Sequence, residues 1–147
     1  ADSGNLEQAA GAMSQLASET DTGYAVLARF REASLRREAG SVAAAVDIYD
    51  AIAADSSVEP LYRDLATLLS VLSQVDAGDP VALSARLQPL AASGAWRHTA
   101  NEYLGILALR QGNKDAARSH FQAVADDATA PSGARSRAAE LLRTLAP

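Results

Sequence analysis

Few side chains in this chain are placed to do chemistry. His98 and His120 are its only histidines, and neither has the partner one helical turn away that a His-Glu-x-x-His helix uses to grip zinc. Cysteine is absent, which excludes a thiol nucleophile, a disulfide framework and a thiolate metal site. Asp126 and Asp127 pair two carboxylates at the end of a helical stretch, where the helix dipole disfavours acids. They offer a weak cation or partner contact at most, and a solvated loop accounts for them as well. No Gly-x-Ser-x-Gly elbow or phosphate-cradling glycine loop occurs. Arg29, Arg31, Arg36 and Arg37 interleave with Glu32 and Glu38 in a charged band that suits a solvated face with i, i+4 pairs. Arg36 and Arg37, near a helix C-terminus, could also anchor an acidic partner. No nucleophile, base and orienter converge, so the chain reads as a protein without catalysis, metal or cofactor.

The elements that hold these residues are marked by glycines. Gly4-Asn5, Gly40-Ser41, Gly78-Asp79 and Gly112-Asn113 each join a glycine to a helix-capping residue. Five positions after each glycine stand Ala9, Ala45, Leu83 and Ala117; nine positions after stand Met13, Tyr49, Leu87 and Phe121. Spacings of 36, 38 and 34 residues between the glycines are those of a helical repeat array. Glycine ends one helix in the left-handed conformation, and Asn, Ser or Asp caps the next. Two helices meeting in so tight a corner must pack antiparallel. The small residue lets them approach, and the large one a turn later fills the space beyond.

Composition supports an all-α fold over a single domain spanning 1–147: alanine is abundant, and aromatics are only 5%. The net charge of −5 argues against binding to nucleic acid or to an anionic membrane, both of which call for basic excess. No apolar run reaches the length of a membrane span. The chain starts Ala-Asp-Ser-Gly, almost directly on a helix of the second type, so a partner helix is expected upstream, with room for a removed signal or anchor.

Apolar periodicity predicts eight helices, near residues 5–18, 22–39, 41–54, 59–77, 80–92, 96–111, 114–126 and 132–145. The fourth has two apolar stripes, Leu61, Leu65, Leu68, Leu72 and Val75 beside Tyr62, Ala66 and Leu69, so it is expected at the centre of the array. Pro89 should kink or shorten the fifth. The eighth, with Ala134, Ala138, Leu141, Leu142 and Leu145 on one side, reads as a terminal cap.

Gly40-x4-Ala45-x3-Tyr49 and Leu104-Gly105…Gly112-x4-Ala117-x3-Phe121 resemble the tetratricopeptide (TPR) repeat, with Ala33 and Gly105 at its small positions. The middle repeat departs from it, with Val71 and Leu83 where small residues belong. A narrower resemblance rests on Tyr24-Ala25…Leu27-Ala28 and Trp96-x6-Tyr103-Leu104-Gly105-x2-Ala108-x3-Gly112. It is to the periplasmic TPR-like domain of the bacterial ancillary Sec-translocon subunit. That resemblance implies an N-terminal anchor in the inner membrane, a periplasmic location, and partners among translocon subunits, periplasmic chaperones and exported polypeptides; the alternative is a cytoplasmic location.

Stacked first-type helices line a concave groove that takes a peptide from another protein. The groove candidates are Leu27, Phe30, Ser34 and Arg37; Leu65, Leu68 and Leu72; and Glu102, Ile106 and Leu109. They form a largely apolar set. A carboxylate clamp would need Lys, Asn and Arg there, whereas Phe30 and Ser34 occupy clamp positions. Two other readings stand beside the groove: the leucine stripe is core, covered by the last helix, or it meets a second copy in a structural, oligomerising array.

Overall fold

A computed structural model describes residues 3–19 and 22–145. Its described residues form eight helices and no strand: α1 (Ser3–Glu19), α2 (Thr22–Glu38), α3 (Val42–Ala54), α4 (Pro60–Gln74), α5 (Pro80–Ala92), α6 (Arg97–Arg110), α7 (Lys114–Ala125) and α8 (Ser132–Thr144). The fold is an all-α helical-hairpin array; α1 to α4 pack consecutively on one another, and so do α5 to α8. It divides into two compact units, Ala1–Gln74 and Val75–Pro147. The boundary falls between α4 and α5, at the repeat whose small positions hold Val71 and Leu83.

Two of the four glycine corners form as expected. Gly40 and Gly112 take φ of 89° and 73°, a region where a side chain is strained. In each, the residue after glycine donates its N–H back across the helix end: Ser41 to the Arg36 carbonyl at 2.8 Å and Asn113 to the Ala108 carbonyl at 2.9 Å. The glycine N–H reaches Arg37 and Leu109 respectively, which completes a Schellman motif. The other two differ. Gly4 lies in the first turn of α1, and Gly78 sits in a turn without positive φ.

The caps also divide. Asp79 accepts from the Val81 and Ala82 amides, and Asn113 from the Ala116 amide. Ser41 makes no cap bond, because its hydroxyl donates to Glu7 Oε1 at 2.7 Å. Helix α5 runs through Pro89 to Ala92 rather than ending there. Ala85 and Pro89 are both exposed, so water can meet the carbonyl that proline leaves without a helical donor.

Ion pairs show the hairpins to be antiparallel. Arg36, late in α2, holds Glu7 at the start of α1 (3.0 Å), and Arg29 reaches Asp55 just past α3 (3.1 Å). Arg97, at the start of α6, reaches Asp127 just past α7 at 3.2 Å. The two units repeat each other at an offset of 72 residues, the separation of Gly40 from Gly112. Ala45, Tyr49, Ile52, Val58 and Ala66 correspond to Ala117, Phe121, Val124, Ala130 and Ala138, and all ten are buried. These residues form the cores between α2, α3 and α4 in one unit and between α6, α7 and α8 in the other. Helix α8 covers α7 and part of α6 with Ala134 and Ala138.

Candidate protein-docking cleft

One concavity belongs to the first unit. A cavity of about 510 Å³ opens between the first turns of α2 and α4 and is lined by residues 23, 24, 26, 27, 57–59 and 62. Its position follows from one turn. The Asp55 carboxylate accepts the Ser57 amide at 3.0 Å and the Ser57 hydroxyl at 2.6 Å, and its other oxygen takes Arg29. Those bonds, the Ser57 ones foremost, hold Asp55 below the ordinary carboxylate range. The same turn drives Val58 into the core, 5% exposed, and starts α4 with Pro60 in its first turn.

Large side chains around this opening face water. Tyr24 is 75% exposed, Leu27 54% and Tyr62 38%, while Val26 is half-buried and Val58 closes the floor. Leu61, beside Tyr62 on α4, is 47% exposed. At the corresponding places of the second unit stand Trp96, Thr99 and Ala134, the last buried. Ala134 packs on the second core where Tyr62 of the first unit faces water. The exposed tyrosine and leucine are therefore a property of the first unit, not a requirement of the fold.

The groove candidates separate accordingly. Leu27 lies on the cleft, and Arg37 is exposed at the far end of α2. Phe30 turns inward against Tyr49, ring centroids 6.1 Å apart and tilted by 45°. The Ser34 hydroxyl donates to Glu38 at 3.0 Å. Leu68 is 3% exposed and belongs to the core, so it lines no open surface; Leu65 and Leu72 are half-buried. Glu102 is buried and gripped by Arg137 of α8 through Nε at 2.8 Å and Nη2 at 3.0 Å. Ile106 and Leu109 pack on the second core. Leu68 and Glu102 are thus inside the fold, and Phe30, Ile106 and Leu109 are half-buried against it.

Tyr24, Val58, Glu59 and Tyr62 were not among those candidates. No local pattern singled them out: α2 packs on both α1 and α3, so its wide apolar face is what two neighbours call for.

His120 and Asp127 are each held in a hydrogen-bond network. His120 donates from Nδ1 to Asn101 Oδ1 at 3.0 Å, and the Asn101 amide donates to the Ala91 and Arg97 carbonyls. Burial lowers the His120 pKa. Asp127 repeats the Asp55 turn, accepting the Thr129 hydroxyl and amide, bonds that with Arg97 bring its pKa down to about 2. Among the described residues, no group of three or more His, Asp or Glu side chains could hold a metal ion. No helix there is long and apolar enough to cross a membrane.

Comparison with protein-family models, with curated proteins and with solved structures finds no match.

Proposed function

We propose that this chain is a non-catalytic protein-interaction module of TPR-like build, which receives an apolar segment of a partner on the Tyr24–Leu27–Tyr62 cleft. The supporting observation is the exposure of these three large side chains around one concavity, while at the corresponding places of the second unit Trp96 and Thr99 are half-buried and Ala134 is buried. Clustered apolar surface of this kind costs solubility and is ordinarily covered by a partner. The sequence resemblance extends the proposal to a setting: a periplasm-facing adaptor held at the bacterial inner membrane by an N-terminal anchor, linking the Sec translocon with chaperones or exported polypeptides.

The experiment is a comparison of Leu27→Ser and Tyr62→Ser with the unaltered chain in affinity capture of translocon subunits, periplasmic chaperones and exported polypeptides. Both side chains are exposed, so stability should move by no more than about 0.5 kcal/mol. Capture of one of these partners that falls at least roughly tenfold in both variants is the expected result, since a docked anchor side chain is worth that much or more. Unchanged capture would overturn the proposal. Loss of self-association in the variants, with no other protein bound, would identify the surface as an interface between copies.

A further inference from the structure

We infer that the cleft selects a partner segment in which an arginine or lysine stands beside an apolar side chain; this rests on the reading of the cleft as a docking surface. Among the described residues, Glu59 is the only charged side chain lining it. Glu59 is exposed, and its carboxylate has no hydrogen bond or ion pair among the described residues. Of the neighbouring cations, Arg29 is bound to Asp55, and Arg63, one helical turn past Glu59, makes no ion pair with it and has its Nε buried without a hydrogen-bond partner.

The remaining walls suit the same ligand. Tyr24 and Tyr62 present two aromatic rings around the opening, and a guanidinium or ammonium is attracted to the face of such a ring as well as to a carboxylate. Leu27, Val26 and Val58 supply apolar surface for the stem of that side chain and for a neighbouring leucine or valine. An acidic or phosphorylated segment would meet the Glu59 charge without a counter-ion. The net charge of −5 adds a long-range attraction for a basic segment.

The test is titration of the isotopically labelled full chain with two probe peptides, N-acetyl-Leu-Arg-Leu-amide and its Gln analogue, followed by amide chemical shifts. The arginine peptide should move the amides of Tyr24, Leu27, Val58 and Tyr62 and bind roughly fivefold to thirtyfold more tightly than the glutamine peptide. In Glu59→Gln that preference should shrink severalfold, with the same amides still responding. Equal binding of both peptides at the cleft would overturn the selectivity and leave the docking reading in place. If neither peptide moves the cleft amides, selectivity and docking reading both fall.

Discussion

The ring of Phe121 rests directly on Gly105: a Cβ built on this glycine would lie 2.7 Å from both Cδ1 and Cζ of the phenylalanine. The Phe121 ring of α7 therefore fills the space that a side chain at position 105 of α6 would need. The corresponding place in the first unit holds Ala33 against Tyr49. A methyl group at position 105 requires the Phe121 ring or the helices to shift.

Gly105→Ala should accordingly destabilise the second unit by about 1–3 kcal/mol, against the usual helix-favouring effect of alanine. Gly133→Ala is the control, since its Cβ would meet only Arg137 Nη1 at an ordinary 3.6 Å. That change should be neutral or slightly stabilising. Trp96, the only tryptophan, lies in the second unit and can report unfolding by fluorescence.

Asp127 gives a pH dependence with a definite sign. Its folded pKa, about 2, is below the ordinary aspartate value of 3.8 because Thr129, and then Arg97, favour the charged form. The stabilisation is fully present above the unfolded pKa and is lost as pH falls through the window from 3.8 to about 2. A carboxyl NMR titration should place the Asp127 midpoint near the lower end of that window. Thr129→Val should move the midpoint upward, and Asp127→Asn should flatten the loss of stability over the window.

Arg137 is exposed for most of its length, but its partner is not. Arg137→Ala leaves the Glu102 carboxylate buried without its two charge-assisted hydrogen bonds. That should cost about 1–2 kcal/mol, at the lower end for such pairs because water reaches the arginine side. Glu102→Leu combined with Arg137→Ala should recover much of the loss, as measured by urea unfolding.

The helices were legible in the sequence because their signals are local. Gly40 and Gly112 had the flanking apolar pattern that a corner requires, and the structure ends helices at both. Gly4 shares that pattern but lies inside α1, where a glycine is tolerated and no earlier helix is described for it to end. Site residues were less legible, since exposure is decided by the neighbour. Tyr62 and Ala134 stand at corresponding positions of the same repeat, one in water and one in the core. Leu68 and Leu27 look alike in composition and periodicity, yet only Leu27 is open. Glu102 resembled a groove acid because Arg137, 35 positions later, leaves no local trace of the pairing.

The central claim is that the Tyr24–Leu27–Tyr62 cleft is the working surface. Its most direct test is photocrosslinking in intact cells from a photoreactive residue at position 27, with a control at Arg143 on the exposed face of α8. The account predicts strong crosslinks from position 27 to a translocon subunit, a periplasmic chaperone or an exported chain, and few from position 143. Equal yields from the two positions, or crosslinks from 27 only within its own chain, would contradict it.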